Sequence, residues 1–373
     1  MAKNINNLEF DEATKLKLDI FGECFEEWLP IFNYDRYTDS VYVFDFFAGS
    51  GKDTKNNPGS PLILLEKAKG ENRKYCLNAK KEIRFLFNEC LTDKSKQLKQ
   101  NLNQYIKQCK TINGCESCIY QYSVQSYDFK DIFEKPAVKD IFENKNIGKF
   151  VLLDQYGFKE INNKVFKQLI SFPKTDFIFF ISSSNIRRFK EHTNVKKYIE
   201  TSKINFDETK PKECHKVMAD YYKTLVDSEH YIHHFTIKKG ANYWGLIFYS
   251  NHSLGMEKFL KVCWKHDPLS GEANFNIDNN WELNSLFATL GENIKKDTVS
   301  KEIKQLLLSG EISDNITGLK YAMQKGCEPK LFTEVVRKLE QQKVIERYGN
   351  VNNQSTKIHK LNKSKIYHIK RVL

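Results

Sequence analysis

The residues with the most chemistry per position lie in one short run, Asp45-Phe46-Phe47-Ala48-Gly49-Ser50-Gly51. An apolar, aromatic stretch, VYVFDFF at 41–47, delivers an acid into a turn with two closely spaced glycines. Glycines there permit a tight turn and close approach of a ligand to the backbone. Ligands of open α/β sheets bind outside the carboxyl ends of the strands, so the position suits a cofactor. Two phosphate-binding patterns are broken. A Walker A loop needs a glycine where Phe46 stands and a Ser or Thr after Gly51-Lys52, where Asp53 stands. A GxGxxG fingerprint needs a third glycine where Thr54 stands.

An acid closing the second apolar stretch, Glu89 after IRFLFN, completes a different pattern. An acid at one strand end, a GxG turn and a second acid able to accept from both ribose hydroxyls is how S-adenosylmethionine methyltransferases build their cofactor site. The expected cofactor-binding residues are Asp45, Phe47, Gly49, Gly51, Glu89 and Asp128, the last following a weaker third strand in Ser126-Tyr127-Asp128-Phe129. Asp154-Gln155-Tyr156-Gly157 ends the fourth strand, where such enzymes face their substrate. Asp154 would accept from a target amine and Tyr156 would stack or donate, which makes these two the catalytic expectation. Their work would be positioning, because the methyl of a sulfonium is already activated. Gln155 departs from the D-P-P-Y pattern of amino-methylating enzymes. The absence of a Pro-Cys dipeptide argues against a cytosine-C5 enzyme with its cysteine nucleophile. No D…ExK cluster promotes a nuclease reading.

Nine cysteines at irregular spacing suit a chain of mostly free thiols in a reducing compartment. Cys109-x5-Cys115-x2-Cys118 is a CxxC with a third thiol nearby, whereas structural zinc takes four ligands. A fourth could come from Cys90 or from a residue distant in sequence; free thiols and a redox pair are the other readings, and no metal ligand is assigned. His230, His233 and His234 lie on or before a strand, where the last two would point to opposite faces and so do not serve one site simply. Arg187, Arg188, Lys190, Lys196 and Lys197 follow the fifth strand, on the side where an anionic substrate would approach.

The elements that must position these residues alternate. A helix over 9–29 ends at or near Pro30. Strands follow at 41–47, 83–89, 120–129, 149–157 and 176–182, with helices at 61–79, 94–109 and 160–171 between them. Short, fully apolar strands separated by helices predict a parallel sheet covered on both faces. YIHHFTIK and YWGLIFYS around a GAN turn predict an antiparallel hairpin at the sheet edge, followed by a helix at 253–265. Residues 267–280 read as linker. Helices at 298–309, 315–324 and 331–341 followed by strands near 345–349 and 364–372 form a winged-helix pattern, with 331–341 as its candidate recognition helix. The fold class expected is thus α/β: a Rossmann-like methyltransferase sheet with a terminal antiparallel hairpin, plus a C-terminal winged-helix-like domain. The domains expected are 1–38 (helical segment), 39–266 (methyltransferase-like), 267–295 (linker and connecting helix) and 296–373 (winged-helix-like).

With 373 residues, 40% of them hydrophobic, the chain is long enough for two or three domains and global disorder is excluded. The net charge of +12 favours an anionic partner such as DNA or RNA, although Lys- and Asn-rich composition is also a genomic habit. A polar N-terminus and the lack of an 18-residue apolar run predict a cytoplasmic chain with no membrane span.

These motifs together resemble the three-Cys-motif partner protein family, a methyltransferase-like group. The resemblance rests on Trp28-Leu29-Pro30, the run Tyr42–Gly51, Gly59-Ser60-Pro61, the strand-two acid at Glu89 and the strand-four end at Asp154–Gly157. It runs over about 30–290, with the C-terminal part more loosely covered. It implies S-adenosyl-L-methionine as cofactor and a radical-SAM-like partner protein. The three cysteines of the family name belong to that partner and are not carried over to Cys109, Cys115 and Cys118. The expected function is a methyltransferase acting on nucleic acid or a nucleotide. The alternative is a non-catalytic scaffold or nucleic-acid-binding component of a two-protein system, with a role in phage defence.

Overall fold

The computed structural model describes residues 9–275 and 294–372, apart from 117, 156, 207–210, 228–229, 353–354 and 362–364. Helix α1 (Glu12–Asn33) begins at Asp11, whose carboxylate accepts from Thr14 N at 2.9 Å. Leu18, Phe21, Phe25, Trp28 and Leu29 recur at helical spacing and are all buried. The helix does not stop at Pro30. It continues for three residues, because Phe32 packs on Trp28 (ring centroids 4.6 Å apart) and buried Asn33 accepts from Lys80 N. These contacts offset the backbone bond that proline cannot make.

The strand–helix alternation then unfolds as expected. Strand β1 (Ser40–Asp45) is followed by α2 (Ser60–Lys69), which Gly70 ends, and by the short α3 (Lys74–Leu77). Strand β2 (Glu82–Asn88), α4 (Thr92–Asn113) and β3 (Gln121–Gln125) come next. Two helices absent from the sequence reading, α5 (Phe129–Phe133) and α6 (Pro136–Glu143), lead into β4 (Ile147–Leu153). Then come α7 (Asn163–Ser171), β5 (Thr175–Ile181), α8 (Ser183–Arg188), α9 (Thr193–Lys196) and α10 (Cys214–Lys223). Strands β6 (Tyr231–Lys239) and β7 (Asn242–Ser250) precede α11 (Ser253–His266).

These seven strands form one sheet in the order β3-β2-β1-β4-β5-β7-β6. β1 to β5 pair in parallel, and β7 runs antiparallel to both β5 and β6. The chain builds outward from β1 through β2 and β3, then crosses to β4 and builds the other way. The sheet is therefore doubly wound and Rossmann-like, with its switch point between β1 and β4. One face packs against α1, α2 and α11 through Val43, Phe85, Phe150 and Phe248; the other packs against the helices following β3, β4 and β5 through Phe44, Val151 and Phe179.

The stretch expected as a linker starts as built structure. Thr236 N donates to Glu272 O, Asn274 N donates to Thr236 O, and Ala273 forms a bridge with Thr236 on β6. Residues 276–293, where the rest of the linker reading falls, lie outside the described residues. Helices α12 (Ile294–Ser309), α13 (Asn315–Gln324) and α14 (Lys330–Gln341) follow, with the antiparallel pair β8 (Ile345–Gly349) and β9 (Tyr367–Arg371). Asp314, just before α13, forms a bridge with His368 of β9. This C-terminal region is joined to the rest: Trp264 Nε1 of α11 donates to Gly326 O at 2.9 Å, and Lys295 of α12 pairs with Glu272 at 2.6 Å.

Candidate functional site

Register decides which acids can meet. Asp45 sits opposite Phe87 on β2 and Leu152 on β4. Glu89 and Asp154 each lie two residues beyond those partners, so all three share the side-chain parity of the α1 and α2 face. The three carboxylates sit at the carboxyl ends of the central strands, close enough that Asp154 and Glu89 both raise the Asp45 pKa.

Asp45 is fully buried. Its Oδ2 accepts from Ser60 Oγ at 2.7 Å and its Oδ1 from Phe47 N at 3.1 Å. Burial pushes its pKa up to about 7, against the two hydrogen bonds, which lower it. Asp45 thus ties β1 to the first residue of α2. This accounts for Gly59-Ser60-Pro61: Pro61 suits the first turn, Ser60 reaches Asp45, and Gly59 N donates to Gly51 O at 2.8 Å. A Cβ on Gly59 would sit 3.3 Å from the Gly51 backbone.

The glycine turn is pinned from three sides. Gly49 N donates to Glu89 Oε2 at 3.0 Å, Ala48 N to Asn88 O at 3.0 Å, and Asn101 Nδ2 to Ser50 O at 2.8 Å. Gly49 and Gly51 have φ of 61° and 80°, which side-chain-bearing residues rarely adopt. At Gly51 a Cβ would also lie 2.8 Å from Leu98 Cδ1, so packing by α4 explains this glycine without a ligand. Asp53, which breaks the Walker pattern, organises the loop by accepting from Phe10 N, Lys55 N and both nitrogens of Asn57.

Glu89 Oε1 accepts from Leu91 N at 2.8 Å. Each of its oxygens thus has one backbone donor, and Oε1 also faces Cys90 Sγ at 3.6 Å, so the open acceptor capacity lies mainly on Oε2. Asn88 beside it is buried and clamps three strand ends, donating to Phe46 O and Tyr127 O and accepting from Tyr127 N. Asp128 is exposed just past β3 and precedes α5. Phe47 is half-buried, its ring 5.3 Å from that of Phe129.

Asp154 is engaged by a residue 137 positions away. Lys17 Nζ of α1 lies 2.8 Å from Oδ1 and 2.6 Å from Oδ2, with the Phe180 ring 5.0 Å beneath it. Tyr156 lies outside the described residues. Gln155 is buried and structural: its Nε2 donates to Phe180 O, and its Oε1 accepts from Glu160 N and Ile161 N. Lys17, Ser60 and Asn88 are the site residues the sequence reading missed. Asn88, a polar residue inside the apolar strand before Glu89, and Ser60, in the Gly59-Ser60-Pro61 motif, carried local signals; Lys17 carried none.

No protein-family model matches the chain, and no curated protein matches it. Solved structures with a similar arrangement exist. Trm1 from Pyrococcus horikoshii in complex with S-adenosyl-L-methionine is 9% identical, over 69% of this chain and 59% of that one, with a TM-score of 0.39. An O-methyltransferase from Bacillus cereus is 10% identical, over 65% and 91%, with a TM-score of 0.35. Protein LPL1258 from Legionella pneumophila is 11% identical, over 66% and 86%, with a TM-score of 0.36. The chain thus spans under two thirds of Trm1.

The other side chains singled out in the sequence lie elsewhere. His233 and His234 sit on opposite faces of β6: His233 near Phe259 of α11, His234 near His215 of α10. Burial holds all three below the usual histidine range. Among the described residues no helix is long and apolar enough to cross a membrane.

Proposed function

We propose that the chain binds S-adenosylmethionine at the carboxyl ends of β1, β2 and β4 and is a methyltransferase acting on nucleic acid or a nucleotide. The observation that carries this reading is the direct bond from Gly49 N to Glu89 Oε2 at the sheet's switch point, beside Asp45 and Asp154. The donor set fits the cofactor. Glu89 would accept from the ribose hydroxyls, on Oε2 directly and on Oε1 in place of the Cys90 thiol, the turn at Gly49 brings backbone to the amino-acid part, and Asp128 stands past β3 for the adenine amine. The bound cofactor would supply a methyl group already activated by its sulfonium. The chain's own residues would orient a target nucleophile toward it, with Asp154 as acceptor once Lys17 is displaced.

The C-terminal helices and the β8–β9 pair would act as a winged-helix-like module recruiting the substrate, with α14 as recognition helix. A radical-SAM-like protein is the expected partner on the strength of the family resemblance. A second reading, a non-catalytic scaffold on the same fold, is favoured by one observation: both oxygens of Asp154 are already bonded to Lys17. Methyl transfer from labelled cofactor to DNA, tRNA and total RNA, with and without the partner, distinguishes the two. Asp154→Ala should abolish transfer and leave cofactor affinity unchanged. Unchanged turnover would remove Asp154 from the mechanism, and no product on any substrate would favour the scaffold.

A further inference from the structure

Four of the nine cysteines line a single cavity, and none of the acids at the strand ends lines it. Cys76 from α3, Cys109 from the last turns of α4, and Cys115 and Cys118 from the turn before β3 all line a space of about 210 Å³. Folding therefore supplies the fourth thiol that Cys109-x5-Cys115-x2-Cys118 lacks in sequence. It comes from Cys76 rather than Cys90, whose Sγ lies instead beside Glu89. Cys109 and Cys118 are each close enough to Cys76, and to one another, to interact electrostatically.

N–H donors already point at two of the sulfurs: Arg73 Nη2 lies 2.9 Å from Cys115 Sγ, and Asn113 Nδ2 lies 3.4 Å from Cys109 Sγ. Such donors are the outer-shell partners that hold metal-bound thiolates. Lys69, Arg73 and Lys110 line the same cavity, so positive charge is at hand to balance the net −2 of a divalent ion with four thiolates. Tyr105, Ile106 and Tyr120 supply an apolar wall that limits water.

We propose that Cys76, Cys109, Cys115 and Cys118 form a structural zinc site. Among the described residues no three such groups hold a ligating arrangement as they stand, so binding must draw the thiols inward. The segments that would move are suited to it. α3 has only four residues and follows two left-handed residues, Asn72 and Arg73, while Cys115 and Cys118 lie in irregular chain past the αL cap at Gly114. Leu77 and Ile119 beside them are 67% and 44% exposed, which leaves apolar surface for closure to bury. Metal binding would release the thiol protons to solvent and tie α3, α4 and β3 together. Cys115-x2-Cys118 has the spacing of a zinc knuckle.

The test needs no substrate. Full-length protein purified under reducing conditions should carry one equivalent of zinc by plasma mass spectrometry. Replacement by Co²⁺ should give the intense thiolate-to-metal absorption and d–d bands of a tetrahedral tetrathiolate site. Cys76→Ser and Cys118→Ser should each lower metal content and change the cobalt spectrum, whereas Cys90→Ser should change neither. Because a variant could lose metal by misfolding, Co²⁺ titration of the reduced wild-type chain is the deciding arm. Folded wild-type protein that takes up no Co²⁺, or a cobalt spectrum identical in Cys76→Ser, would overturn the assignment. So would a Cys115–Cys118 disulfide whose reduction restores no metal uptake.

Discussion

Asp45 and Asp176 are both acids that the fold buries completely, and both have their pKa pushed up to about 7 by desolvation. Asp176 lies at the start of β5, away from the candidate site, where its Oδ2 accepts from Trp28 Nε1 at 2.8 Å. It is therefore the cleaner place to test the electrostatics. Its pKa in the unfolded chain is near 3.8, so between about pH 4 and 7 the folded state binds more protons. Stability from this group is full below about pH 4 and is lost as pH rises through about 7. Asp176→Asn keeps an acceptor for Trp28 and removes the titration. Chemical denaturation should show the variant gaining on wild type from pH 4 to pH 8, by on the order of 4 kcal/mol at most. A gap that stays constant over that range would contradict the buried-acid assignment. At the same scale, the pairing of Asp154 with Lys17 was not legible in the sequence: the partner is on α1, and nothing local in either segment announces the pair.

At the scale of elements, the turn between β1 and α2 is built by contacts that reach it from α4 and from Glu89. Gly51 combines a positive φ with a near contact to Leu98. Gly51→Ala should therefore cost about 1–3 kcal/mol in chemical denaturation, from backbone strain and the displaced leucine together. Combining it with Leu98→Ala should be less damaging than the two costs added, because the second change removes the clash. Strict additivity would show that backbone strain alone makes Gly51 necessary. The central strands were legible because both faces of the sheet are covered there, so they read as apolar runs such as DFIFFIS, whereas β3 (QYSVQ), at the sheet edge, reads only weakly. The helices α5 and α6 were not, since they are short and Pro136, which starts α6, reads locally as a turn. Pro30 misled for the opposite reason: tertiary packing of Phe32 and Asn33 overrides a local stop signal. Cys76 was invisible as a companion of Cys109 because the two meet only after α2, α3, β2 and α4 are laid down.

Across the whole molecule α1 is the common link. Lys17 reaches the site at Asp154, Trp28 anchors β5, and Glu23 and Glu27 pair with Lys265, His266, Lys258 and Lys261 of α11. α11 in turn holds the C-terminal region through Trp264 and Gly326. The helix that carries Lys17 thus packs against the helix that holds the C-terminal region. Everything functional still depends on whether Glu89 and the Gly49 turn receive S-adenosylmethionine. Isothermal calorimetry of the full chain with S-adenosylmethionine and S-adenosylhomocysteine, wild type beside Glu89→Ala, asks this directly. Saturable binding of both ligands by the wild type, weakened at least tenfold in a folded Glu89→Ala variant, is the predicted result. No heat of binding from well-folded wild-type protein, or equal affinity in the variant, would contradict the account.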